Sequence, residues 1–283
     1  MTTAAVPPSS RVPLAVWPVG QPTLEDTKTD RFLSGCSSDR AGITVGLARR
    51  IVEEYSSRGD LVVAPGSENQ STLARTAVAG RRAIGIAPDR RSATSLRRTL
   101  ELTADKATPH WAQVRVGDIR RPARCLAEFM GAVDLICLVP PVHRGPSTTG
   151  HRTGTGGSIG AASGVVPQTS DDADRREVYA GSHDALRPGG ILVVVTTSSR
   201  RGGRLADNAG DSVSHAQAVG FVYLQHVVAI GVPISDGSLV VAPSVAERRF
   251  RQSARPGGPA HFGVHHDLTV FAKPTTAEVA RVN

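Results

Sequence analysis

The sequence predicts an α/β fold: a doubly wound, mostly parallel sheet of seven strands in a single domain. Two observations carry that expectation. Short apolar runs alternate with segments of helical periodicity along most of the 283 residues, which is the arrangement of successive βα units. The runs are also near-continuously hydrophobic rather than alternating, as strands covered by helices on both faces are.

In chain order, residues 1–41 hold several prolines and little periodicity. They read as an extended arm with one short strand in VPLAVWPV (12–19). Residues 42–274 form the regular domain and 275–283 a tail. VGLARRIVEEY (45–55) spaces its apolar residues as a helix does, and Gly59 ends it. LVVA (61–64) is a buried strand, 71–78 a short helix, and AIGIA (83–87) a second strand. Helix 91–103, strand AQVRVGD (112–118), helix 122–130 and strand VDLICLV (133–139) follow. Residues 142–170 are Gly- and Pro-rich without apolar period, and so long a loop in a compact domain is functional or disordered. Next come helix 171–186 closed by LRPGG, strand ILVVVTT (191–197), helix 207–219 and strand FVYLQHVVAI (221–230). After an irregular insertion at 231–262, HDLTVFAK (266–273) supplies the seventh strand.

The composition narrows the function classes. Thirty-three basic against 25 acidic residues give a net charge of +8. A basic surface concentrates polyanions and favours nucleic acid as partner. Arginine carries most of the excess, a bias that also follows from base composition of a genome. The few aromatic residues leave little ring surface for stacking on bases. Cys36, Cys125 and Cys137 have no paired spacing, so a reducing cytoplasm is expected, with neither a disulfide framework nor a cysteine metal site. MTTAAVPPSS has no basic or apolar leader pattern, and no run approaches the ~20 apolar residues a membrane span needs.

Ligands of doubly wound sheets sit outside the carboxyl ends of the strands, near the switch point. That directs attention to loops 64–72, 87–90 and 139–170. Four landmarks fall there in order: the Pro-Gly turn of LVVAPGSENQST, RRAIGIAPD, VGDIR and LVPPVHRGP, followed by LRPGGILVVV and HDLTVFAK. In that order they resemble the class I S-adenosylmethionine-dependent methyltransferases, over roughly residues 42–273. Within that class the likeness is to amino-directed DNA methyltransferases (N4-cytosine or N6-adenine) and to tRNA guanine-N2 methyltransferases.

The resemblance implies a Rossmann-like fold, S-adenosylmethionine as cofactor, and a set of site residues. Cofactor contacts would fall at Ala64, Pro65, Gly66, Ser67 and Glu68, at Ala87 and Asp89, and at Asp118. The catalytic tetrapeptide, [Asp/Asn/Ser]-Pro-Pro-aromatic in the family, would be Val139, Pro140, Pro141 and Val142. It works by orienting an exocyclic amine toward the methyl group while the aromatic ring stacks on a flipped base. His143, Arg144 and Arg152 would meet nucleic acid.

The chain departs from the family pattern at the chemical positions. The acidic position of the first motif is Ala64, and its glycine positions hold Glu68 and Gln70. Glycine belongs there because it lacks a Cβ and adopts positive φ freely, so two longer side chains should crowd the cofactor or redirect the turn. The ribose-binding acid of the second motif is Ala87. Asp89, two residues beyond, suits a helix N-cap better. Val139 cannot accept a hydrogen bond, and Val142 cannot stack.

Other constellations are poorer. GTGGSIG (154–160) lacks the Gly-Lys-Ser/Thr end and preceding strand of a phosphate loop. His261, His265, His266 and Asp267 lack metal-ligand spacing, because adjacent strand residues point to opposite faces. Two functions are therefore expected: a methyltransferase acting on an exocyclic amine of a nucleic-acid base, DNA before RNA, or an inactive relative that has lost the cofactor and binds nucleic acid or a protein. Neither calls for a metal or a membrane.

Overall fold

A computed structural model describes residues 15–20, 43–66, 69–103, 111–140, 172–201, 204–241 and 264–275. The expected long loop, most of the arm and most of the tail lie outside the described residues.

The chain folds as β1 (Val16–Pro18), α1 (Val45–Tyr55), β2 (Leu61–Pro65), α2 (Gln70–Val78), β3 (Arg82–Ala87), α3 (Arg90–Thr103) and β4 (Ala112–Val116). It continues as β5 (Val133–Leu138), α4 (Asp172–Ala185), β6 (Leu186–Thr196), α5 (Asn208–Ala218), β7 (Val222–Ile230) and β8 (His265–Ala272). These strands form one eight-stranded sheet in the order β1-β7-β8-β6-β5-β2-β3-β4. Only β8 runs antiparallel to its neighbours, β6 and β7. The seven expected strands are all present. The eighth is the short strand of the arm, which pairs in parallel with β7 from Val16↔Val228 to Pro18↔Ile230.

That N-terminal strand is held by burial of its one large ring. Trp17 is buried against Tyr55, with ring centroids 5.9 Å apart, and the Arg50 guanidinium lies 5.1 Å from its centroid. The backbone of Ala15 and Val19 addresses β7, so the nitrogen of Pro18 faces outward, where a proline costs no ladder bond.

Helices cover both faces. α1 packs Leu47, Ala48 and Ile51 on Val62, Leu135, Val193 and Val270. Its first turn is capped by the Thr44 hydroxyl, which accepts from the Leu47 amide at 3.3 Å. α2 and α3 cover β2 and β3 through a layer of small residues: Ala64, Ala83 and Ala87 beneath Leu73, Ala93 and Leu96. Gly85 belongs to that layer, since a Cβ there would lie 2.8 Å from Leu73 Cδ2. The opposite face carries Ile84, Ile86, Ile136, Leu192 and Phe271 under Tyr179 of α4 and Ala216 of α5.

Two expected elements differ. Residues 122–130 are not a helix but two 3-10 turns, Pro122–Arg124 and Ala127–Phe129. A continuous helix would need the Cys125 carbonyl for the Phe129 amide. Arg115 Nη1 takes that carbonyl at 2.8 Å, and the Phe129 amide turns to Leu126 O instead. LRPGG is not a terminator either. It opens β6, with Leu186 opposite Val133 and the Gly189 amide donating to Lys273 O at 2.8 Å.

The free edge of β4 is guarded. Arg97, exposed on α3, donates from Nη2 to Val114 O at 3.2 Å, covering a carbonyl that a further strand would use. Open edges template association. Arg97→Ala is therefore expected to leave the thermal midpoint nearly unchanged and to produce concentration-dependent dimers. Light scattering coupled to gel filtration reads this directly; a strictly monomeric variant would refute the guarding role.

Candidate functional site

Strand order places the switch point between β2 and β5, whose following helices, α2 and α4, lie on opposite faces of the sheet. The ladder between the two strands is confined to Val62↔Leu135 and Val63↔Ile136, and folds of this kind take ligands in the crevice at the end of such a switch point.

The rim loops are joined backbone to backbone. The Gly66 amide donates to Ile86 O at 2.8 Å, and the Gly117 amide to Ala87 O at 2.9 Å. Gly66 has φ +90°, so the turn's positive-φ glycine sits directly after Pro65. Gly117 is required for another reason: a Cβ there would lie 2.6 Å from that of Cys125.

The floor of the crevice is made by a residue whose role the sequence did not announce. Asn69 is fully buried, and its Nδ2 donates to Pro65 O at 2.6 Å and Cys137 O at 3.0 Å. One carboxamide thereby ties the end of β2 to the end of β5 where their ladder stops. The Thr72 hydroxyl donates to Asn69 Oδ1 at 3.4 Å and also faces Cys137 Sγ at 3.8 Å. Burial pushes the Cys137 thiol up to about 12, against the opposing pull of Thr72. Burial likewise raises Cys125. Neither thiol is a nucleophile at neutral pH.

Gln70, expected to crowd the cofactor or redirect the turn, is bonded to α3. Its Oε1 accepts from the Thr99 hydroxyl of α3 at 3.4 Å. As the first helical residue, Gln70 turns its side chain toward the neighbouring helix. Ser67 and Glu68 lie outside the described residues.

Ala64 and Ala87 are buried in the small-residue layer under α2 and α3 and offer the rim no polar group. Asp89 caps α3: Oδ1 accepts from the Ser92 amide at 2.8 Å, and Oδ2 from its hydroxyl at 3.0 Å. Those two bonds hold its carboxyl below the usual range. A carboxylate spent on a cap does not reach over the sheet toward a ribose.

Asp118 stands at the rim after β4. Its Oδ1 accepts from the Arg120 amide at 2.9 Å and its Oδ2 from Arg120 Nε at 2.6 Å. Burial raises its pKa, but the Arg120 bonds outweigh it and the net shift is downward. Arg120 also donates from Nη1 to Asp174 Oδ1 of α4 at 3.1 Å.

Of the tetrapeptide, Val139 packs against the core layer of α1 and Pro140 is half-buried at the rim. Pro141, Val142, His143, Arg144 and Arg152 lie outside the described residues. The structure thus brings together 64–66, 86–89, 117–118 and 137–140 and adds Asn69, Arg120 and Asp174. A local Asp118–Arg120 pair is readable from spacing; the contacts to Cys137 and Asp174 are not. Toward S-adenosylmethionine the described rim offers one carboxylate, Asp118, both of whose oxygens accept from Arg120. At the ribose position the described rim supplies no carboxylate.

Among the described residues, no group of three or more His, Cys, Asp or Glu is arranged to hold a metal ion. No described helix is long and apolar enough to cross a membrane.

No protein-family model and no curated protein matches the sequence. Solved structures do resemble the chain. A TehB-like S-adenosylmethionine-dependent methyltransferase from Corynebacterium glutamicum is 16% identical over 88% of this chain and 97% of its own, with TM-score 0.45. TrmN from Thermus thermophilus is 14% identical over 87% of this chain and 53% of its own, TM-score 0.47. A 16S rRNA adenine methyltransferase from Catenulisporales acidiphilia is 11% identical over 82% and 91%, TM-score 0.45. Likenesses at this level bear on neither substrate nor chemistry.

Proposed function

We propose that this chain is an S-adenosylmethionine-dependent methyltransferase of class I, directed at an exocyclic amine of a nucleic-acid base, in DNA before RNA. The observation that carries the reading is Asp118, an ionised acceptor beside Gly117 on a rim that also gathers the Pro-Gly turn and Val139-Pro140. In this reading Asp118 receives the adenine amino group and the Pro140 carbonyl orients the target amine. S-adenosylmethionine, when bound, supplies the methyl group. The net charge of +8 draws the polyanion to the surface, with a steep salt dependence.

A second reading has its own support. Ala87 offers no ribose acceptor, Asp89 is spent as a cap, and the Val139 side chain packs against core. A protein with those features keeps the fold as a binding platform for nucleic acid or a protein partner, without catalysis or cofactor. Losing one hydrogen-bonded polar contact costs about 1–3 kcal/mol, so two missing contacts weaken cofactor binding by about 30-fold to about 20,000-fold at about 1.4 kcal/mol per tenfold.

Calorimetric titration with S-adenosylmethionine, followed by transfer of labelled methyl to duplex DNA and to RNA, separates the two. Heat of binding with label on DNA is the expected result. No heat at millimolar cofactor, together with a salt-dependent DNA shift, would replace the first reading with the second.

A further inference from the structure

We propose that Arg120 is a positioning residue: it holds the Asp118 carboxylate as an oriented anion on the rim and couples it through Asp174 to the first turn of α4. The inference rests on Asp118 receiving the cofactor's adenine, as read above, and adds what makes Asp118 competent to do so.

The geometry is specific. Arg120 meets Asp118 three times, through its amide at 2.9 Å, its Nε at 2.6 Å and an ion pair from Nη2 at 2.5 Å. The remaining nitrogen, Nη1, reaches Asp174 at 3.1 Å. A planar guanidinium that is always charged fixes two carboxylates in its own plane, which a lysine ammonium does not. Left to itself, Asp118 would respond first to burial, which raises its pKa; the Arg120 bonds reverse that. The charged groups facing Asp118 are Arg120 and Arg121 on its own loop. Asp174 of α4 faces Arg120, and the Cys125 thiol donates to the Asp118 carbonyl at 3.9 Å.

A second contact shows that α4 is seated on this loop. A Cβ at Gly181 would lie 2.0 Å from Ile119 O, so helix and loop are in backbone contact one residue from Arg120. Arg175 ties the same helix to α5 through Asp211 at 3.4 Å. The rim aspartate, its arginine and the start of α4 therefore form one mechanical unit.

The test uses the full chain and three variants: Arg120→Gln, Arg120→Lys and Asp174→Asn. S-adenosylmethionine affinity is measured by calorimetry as pH is lowered, and hydrogen exchange of residues 117–121 and the first turn of α4 is measured without ligand. Arg120→Gln is expected to weaken affinity about tenfold or more, the scale of a charge-assisted hydrogen bond. Its affinity should also fall off at higher pH than wild type, because Asp118 then protonates earlier. Arg120→Lys should be intermediate. Asp174→Asn should speed exchange in α4 while keeping the wild-type pH profile.

An Arg120→Gln variant with the wild-type pH profile would overturn the positioning role. Unchanged exchange in α4 would overturn the coupling. A wild-type protein that binds no S-adenosylmethionine overturns the cofactor reading of Asp118 and the positioning role with it, while exchange in the ligand-free variants still decides the coupling.

Discussion

Gly181→Ala is expected to destabilise the protein by about 3 kcal/mol, the upper part of the range for overpacking. Helix propensity alone predicts the reverse: alanine in the interior of a helix is favoured over glycine by roughly 1 kcal/mol. The two effects differ in sign, so the measurement decides between them. Packing should win because the new methyl would meet a backbone carbonyl, Ile119 O, at 2.0 Å, with Pro122 Cδ at 3.1 Å behind it. Neither is a flexible side-chain end that could move aside. Thermal and urea unfolding read the change, and a stabilised Gly181→Ala would show that α4 does not sit so close to the rim loop. Part of the loss should appear as faster exchange at 117–121, because relief of the clash requires helix and loop to separate there.

Asn69→Ala is expected to have an effect of similar size by a different route. It leaves Pro65 O and Cys137 O without the Nδ2 donor they share, and an orphaned buried acceptor costs about 1–3 kcal/mol. A loss of roughly 3 kcal/mol in urea unfolding follows. Asn69→Asp is the sharper test. It has nearly the same shape but turns an acceptor toward two carbonyls, so it should be worse than alanine at neutral pH. If the aspartate variant were as stable as wild type, Asn69 would be a space-filling residue and the bridge between β2 and β5 would not matter.

Much of the fold was legible because burial repeats along the chain. Strands β2, β3 and β5 and the second half of β6 are buried on both faces, and that continuity marks a covered sheet whatever covers it. Helix 45–55 was equally plain from its spacing and Gly59. Residues 122–130 misled because their apolar pattern is compatible with a helix while Arg115, on the neighbouring strand, captures a carbonyl the helix would need. LRPGG misled because proline and glycine signal a stop locally, yet the Gly189 amide donates to Lys273 O and the Lys273 amide to Gly190 O. In both, a hydrogen bond from outside the segment overrode a local preference.

The candidate site divides the same way. Which loops meet was readable, since alternation of strands and helices puts every βα loop at one end of the sheet. That Asp89 suits a cap was readable from its place before a helix, and Ser92 confirms the geometry. What the side chains do there was not. The sequence treats Gln70 as an obstacle, but its carboxamide turns to Thr99. It treats Ala64 and Ala87 as missing acids, but they build the small-residue layer that lets α2 and α3 approach the sheet.

By itself, then, the sequence determined the class of fold, the order of its elements and the end of the sheet where chemistry would sit. Those follow from periodicity and punctuation, which are local. Only the tertiary structure decided that Asn69 closes the floor against Cys137 and that Arg120 links Asp118 to Asp174. These contacts join residues 68 and 54 positions apart. They exist because the sheet brings β2 beside β5 and sets α4 over the loop after β4, and no local pattern encodes that approach.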